Sequence, residues 1–266
     1  MYFSDSEWDM AFISQADFVK HVKDTFLSMV DKKSRIANVK EFNANKIDAI
    51  KLTFDMFLNG LDKRELVNSE LIRQIDKSVT NDIGKFHQDI FNYITGWTVP
   101  KKGFDLENAE KGIYVELKNK HNTMNSASSQ KTYMNLQHKL LRDSNATCML
   151  VEIIAKRSQN IPWVISVNGE QFNHERIRRV SIDKFYEIAT GDEQAFKKVC
   201  SWLPIVIKRL ADELETVPQD VKILYEITEK SDFFLKSLYM LTFEAYNDFN
   251  DLEFKYRDEL EQSGLF

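Results

Sequence analysis

The sequence predicts an α/β chain in which a mixed central sheet is flanked by helices, with helical additions at both ends. Three observations predict it. From Gly112, Ile113, Val115 and Leu117 alternate with Tyr114, Glu116 and Lys118, the period of a strand with one buried face. Ala146–Ala155 is a β-branched apolar run short enough for a central strand buried on both faces. On both sides of these strands apolar residues recur at helical spacing.

Taken in order, segment 7–30 places Trp8, Phe12, Ala16, Phe18, Val19, Val22, Phe26 and Met29 near one helical face. Segment 44–60 repeats the pattern with Ile47, Ile50, Phe54, Phe57 and Leu58. Asn81–Ile94 predicts a helix with Ile83, Phe86, Ile90 and Ile94 inward, ending at Gly96-Trp97. Phe104-Asp105-Leu106 is a short extended piece, and the polar, Gly-ended link Asn108–Gly112 makes a hairpin with the strand that follows. Ser126–Leu141 fits a helix with Tyr133, Leu136, Leu140 and Leu141 on its inner side and Lys131 exposed. Trp163–Val167 reads as another buried strand. From Glu193 onward, Phe196, Val199, Leu203, Ile207 and Leu210 share a helix that Pro204 kinks or restarts. Segments 218–232 and 232–262 look helical again. No repeat or linker interrupts residues 1–266, so one domain is expected: a helical part to residue 80, a core over 81–210 and an acidic helical part over 211–266.

With 266 residues, 43 % of them apolar and 12 % aromatic, the chain can bury a large core. It opens on no cationic-apolar signal, and no apolar run approaches the ~18 residues of a membrane span. A soluble cytoplasmic protein is expected. Cys148 and Cys200 lack the paired spacing of a zinc site or a disulfide framework and read as packing residues. The net charge of −5 is unevenly spread: residues 210–266 hold 5 basic and 14 acidic side chains, whereas residues 99–184 hold 14 basic and 9 acidic. A local positive field suffices to hold a polyanion, and the acidic end faces away from it or is a solvated surface.

Asp105, Glu116 and Lys118 carry the chemistry. Glu116 and Lys118 share a strand face with Cα atoms roughly 6 to 7 Å apart, and folding the hairpin brings Asp105 beside Glu116. Two carboxylates can hold Mg²⁺, which meets the needs of phosphodiester hydrolysis, while an amine can orient or deprotonate the attacking water. The same alternation also suits a solvated strand face. Beyond it, Asn119–Ser126 is too polar for core; Lys120, His121, Asn122, Asn125 and Ser126, with Lys131 in the next helix, can contact phosphates or base edges or simply form a turn. Arg176, Arg178 and Arg179 can fork onto guanine or form surface salt bridges.

On these residues the chain resembles the type II restriction endonucleases of the PD-(D/E)XK superfamily, with Phe104-Asp105 standing where that family has Pro-Asp. The runs Glu116–Ser126 and Arg179–Gly191, then Ala195-Phe196 and Leu203-Pro204, are similar to the subgroup that cuts short interrupted palindromes with GG and CC ends. The likeness spans roughly residues 81 to 210. It implies a restriction-endonuclease-like core in which Asp105 and Glu116 bind Mg²⁺ and Lys118 assists the water. It further implies 5′-phosphate products, a homodimer on palindromic double-stranded DNA, and a cognate DNA methyltransferase. The helix before the first catalytic strand often delivers a further acid in this superfamily; here His87 or Gln88 holds that place or faces solvent. A non-catalytic DNA-binding or regulatory protein on the same sheet is the alternative, as is an interaction module using the acidic end.

Overall fold

The computed structural model describes residues 3–34, 51, 54–55, 58–60, 63–121, 124–213, 236, 246–248 and 251–261. The expected helices over 44–60 and 218–232, and much of 232–262, lie largely outside them. The chain forms two compact units: Lys23–Phe86, and Met1–Val22 together with His87–Phe266.

Helix α1 covers Gln15–Ser34, and α2 covers Lys63–Asp89 before a 3-10 turn at Ile90–Tyr93. The apolar spacing places the start of α1 near residue 7, but Ser14 sets it later. Its Oγ accepts from the Asp17 N–H at 3.1 Å and donates to the Asp17 carboxylate at 2.6 Å, which satisfies an end the helix cannot bond internally. The residues ahead of the cap form a strap in which Phe3, Met10 and Ile13 are buried. Phe86, Ile90 and Ile94 are buried as expected, whereas Ile83 is exposed.

Strands β1 (Leu106–Asn108) and β2 (Ile113–Lys120) form the expected hairpin, with Leu106 opposite Val115 and Asn108 opposite Ile113. Its link closes on Gly112 at φ 62°, a conformation in which a Cβ would be strained. Helix α3 (Ser126–Arg142) then crosses over to β3 (Thr147–Ile154), which pairs parallel with β2. Every residue of β3 from Cys148 to Ile153 is buried, as its run of apolar residues broken only by Glu152 requires. Short strands β4 (Asn160–Pro162), β5 (Ile165–Val167) and β6 (Glu170–Phe172) precede β7 (Ile177–Ser181). The main sheet runs β1-β2-β3-β7-β4, parallel across β2, β3 and β7 and antiparallel at both edges.

The expected buried strand Trp163–Val167 is therefore corrected. Residues 165–167 belong to a separate two-stranded ribbon with β6, and the third parallel strand is the arginine-bearing β7. The cause is Asn168-Gly169, both at positive φ (52° and 87°), a two-residue turn that folds β5 back on β6.

On one sheet face Tyr133, Leu136 and Leu140 of α3 pack with Cys148, Leu150, Ile165, Ile177 and Trp163. Leu141 is 79 % exposed and not inward: one residue past Leu140, it is turned about 100° from that face. Helix α4 (Ile182–Thr190) packs against β3 and β7, and α5 (Ala195–Glu213) packs against α4, running through Pro204 as one helix. The short α6 (Arg257–Glu261) meets α5. Cys148 and Cys200 are free and buried. No helix among the described residues is long and apolar enough to cross a membrane.

Candidate active site

The β1–β2 hairpin brings Asp105, Glu116 and Lys118 together. The Asp105 N–H donates to the carbonyl of Val115 (2.9 Å), the residue already opposite Leu106, so two residues oppose one as in a bulge. That irregularity re-aims the Asp105 side chain. Its Oδ2 accepts from the Leu117 N–H at 2.7 Å, laying the carboxylate across β2 next to Glu116. Among the described residues Oδ1 has no hydrogen-bond partner. Lys118 Nζ lies 3.7 Å from Glu116 Oε2, and both side chains are partly exposed.

Burial first, and then the neighbouring Asp105 charge, raise the Glu116 carboxyl above its usual range; Lys118 offsets part of this. Two carboxylates crowded in this way, one with an oxygen still unbonded, form an electrostatic deficit that a divalent cation relieves. Among the described residues no group of three or more His, Cys, Asp or Glu side chains is placed to hold a metal. A two-carboxylate set of this kind suits Mg²⁺, which keeps several waters and takes further oxygens from a phosphate.

The two accessory candidates part ways. Gln88 Nε2 donates to the Asp105 carbonyl at 2.9 Å, clamping the backbone that carries the carboxylate. The His87 Nδ1 is sealed from solvent although its residue is partly exposed. Burial, and secondarily the charge of His21, lower its pKa to about 4 from 6.5. His87 is thus neutral when folded and titrates at its ordinary value when unfolded. Its contribution is complete above pH 6.5 and declines as pH falls toward about 4, because the unfolded chain then binds the extra proton. Over that window the loss is about 3 kcal/mol. Urea unfolding between pH 7 and 4 should show the His87→Gln variant losing correspondingly less stability than the parent; parallel losses would refute this.

The remaining sequence candidates are scattered. Lys120 is exposed at the end of β2, Lys131 is exposed on α3, and Asn122 lies outside the described residues. Asn125 caps α3, its Oδ1 accepting from the Ser128 N–H at 2.8 Å, and the exposed Ser126 accepts from Gln130. The arginines are held by protein acceptors: Arg176 by the Asn145 carbonyl (2.9 Å), Arg178 by Asn160 Oδ1 (2.8 Å), and Arg179 by Glu152 and His121. Glu152 is 1 % exposed and was not among the candidates. The available signal was an acid inside the apolar run of β3, since a buried carboxylate demands a partner.

Comparison with known proteins identifies the family. The model of the Eco47II restriction endonuclease family matches residues 10–212. The Type II restriction enzyme Sau96I of Staphylococcus aureus is 35 % identical over 186 residues, covering 66 % of this chain and 70 % of that protein. The Type II restriction enzyme Eco47II of Escherichia coli is 31 % identical over 216 residues, covering 77 % of this chain and 89 % of its own length. With a family match over most of the chain and an α/β sheet carrying a paired-carboxylate and lysine hairpin, the chain belongs to the Eco47II restriction endonuclease family and is a type II restriction endonuclease.

Proposed function

We propose that the chain cuts both strands of a short palindromic DNA site with GG and CC ends in a Mg²⁺-dependent reaction that leaves 5′-phosphates. The reading is supported above all by the convergence of Asp105, Glu116 and Lys118 on one hairpin. Asp105 and Glu116 would hold the ion, which when bound supplies Lewis acidity and relief of charge on the phosphate. Lys118 orients the attacking water opposite the leaving 3′-oxygen. The water oxygen bonds to phosphorus and gives up one proton to solvent as the P–O3′ bond breaks, and the leaving 3′-oxygen takes a proton from solvent to end as a hydroxyl. Gln88 keeps Asp105 in register through its carbonyl.

The excess of basic side chains over residues 99–184 supplies the field for DNA. Lys120, Asn122, Ser126 and Lys131 are proposed as contacts to it. A palindromic target pairs naturally with a two-fold protein, so a homodimer is proposed, together with a methyltransferase that protects the same site. The catalytic core is proposed to span residues 81–210. Incubation with unmethylated phage DNA and Mg²⁺, followed by sequencing of fragment ends, should return a single palindromic sequence with 5′-phosphates, and a chelator should stop the reaction. Random ends, or intact DNA, would defeat the proposal.

A further inference from the structure

On the sheet face that carries Glu116 and Lys118, a third carboxylate stands next to the lysine. Glu152 of β3 is the register partner of Lys118 on β2, and strands so paired lie ~5 Å apart with side chains leaning to the same face. A buried carboxylate at that distance is a natural partner for a lysine. Yet Lys118 pairs with Glu116 instead, at 3.7 Å. Glu152 is already occupied: Arg179 Nη2, from β7, forms an ion pair with its Oε1, and His121 Nδ1 lies 3.1 Å from both of its oxygens. Arg179 Nη2 also lies 2.7 Å from His121 Nδ1, so the three side chains close on one another.

The arrangement separates two charge systems that sit side by side. One is Asp105, Glu116 and Lys118; the other is Glu152, Arg179 and His121. Lysine carries a compact charge on a flexible stem, so it moves to whichever carboxylate lacks a cation, whereas the guanidinium is planar and always charged. We infer that Arg179 is a positioning residue: by neutralising Glu152 it keeps Lys118 on Glu116 and at the scissile phosphate. The inference rests on the proposed role of Lys118. Arg179 is thereby withdrawn from base reading, although its sequence neighbourhood suggested that use.

The test uses the full chain with four variants: Lys118→Ala, Arg179→Met, Glu152→Gln, and Arg179→Met combined with Glu152→Gln. Each is assayed for single-turnover cleavage of the cognate duplex, for duplex affinity without divalent metal, and for thermal unfolding. Arg179→Met should slow cleavage on the order of 100-fold, the scale of a misplaced proton-transfer group, with affinity little changed. The double variant should recover most of that rate, because with no charge at position 152 nothing draws Lys118 away. Glu152→Gln alone should cut at nearly the parental rate.

Persistent slowness of the double variant overturns the inference, as does weakened affinity in both Arg179 variants, which would make Arg179 a DNA contact. A lowered unfolding temperature with an unchanged cleavage rate in Arg179→Met reduces the trio to a structural role and also overturns it. Should Arg179→Met fail to fold, the double variant compared with Glu152→Gln still decides, since equal rates are expected. Undiminished cutting by Lys118→Ala would instead remove the proposed role of the lysine itself.

Discussion

Lys118→Ala and Asp105→Asn should each bind a cognate duplex and fail to cut it. The loss for the lysine is expected on the order of 10²–10⁴-fold, the contribution typical of a group that handles the reacting water. Asp105 calls for a more careful substitution. Its Oδ2 also accepts the Leu117 N–H, so Asp105→Ala removes a ladder-like hydrogen bond worth about 1 kcal/mol together with the charge. Asparagine keeps an oxygen in that place and removes the charge alone. If Asp105→Asn retains parental stability yet does not cut, the defect belongs to chemistry and not to hairpin folding. The same change withdraws one of the two causes that raise the Glu116 carboxyl, so Glu116 should ionise at lower pH in that variant. Single-turnover cleavage and duplex gel shift measure both sides; cutting at the parental rate by either variant would end the assignment of these groups.

The hairpin was legible because its information is local. Alternation over Ile113–Lys118 and the Gly-ended link state both the strand and the turn, and the hairpin carries Asp105, eleven residues before Glu116, beside it, where the bulge at Val115 finishes its placement. The central strand β3 was legible for a similar reason, since burial on both faces forces a nearly continuous apolar run, here interrupted only by Glu152. Failures came where a local cue was outweighed or unread. Leu141 and Ile83 satisfy apolar composition but fall off the buried face, and Ser14 starts α1 later than the apolar stripe suggests. Trp163–Val167 has the composition of a central strand, but the Asn168-Gly169 turn pairs it with β6, while the arginines of β7 mask a buried strand in the sequence. The Glu152–His121–Arg179 cluster depends on three separate strand regions, β2, β3 and β7, meeting on one face. No spacing within a single segment encodes that meeting.

Trp202→Ala is the substitution expected to cost the most stability, about 3–5 kcal/mol, because it empties a large site that the surroundings cannot refill. Trp202 of α5 is fully buried and gathers segments far apart in sequence: the rings of Phe3 and Trp8 each lie 4.9 Å from it, and Tyr256 lies 6.0 Å away. Its Nε1 donates to Asp9 at 2.7 Å, so the N-terminal strap is tied to α5 by packing and by a hydrogen bond. Trp202→Phe separates the two. It keeps most of the aromatic contact and gives up the Asp9 bond, for a net loss of about 1 kcal/mol in the hydrogen bond itself. Denaturant unfolding should therefore rank the parent above the phenylalanine variant and the alanine variant well below both. Because α5 meets the sheet through α4 and contributes nothing to the Asp105–Glu116–Lys118 hairpin, the folded fraction of each variant should cleave DNA at the parental rate. A cleavage defect that outruns the loss of folded protein would show that the strap and α5 reach the reaction centre after all.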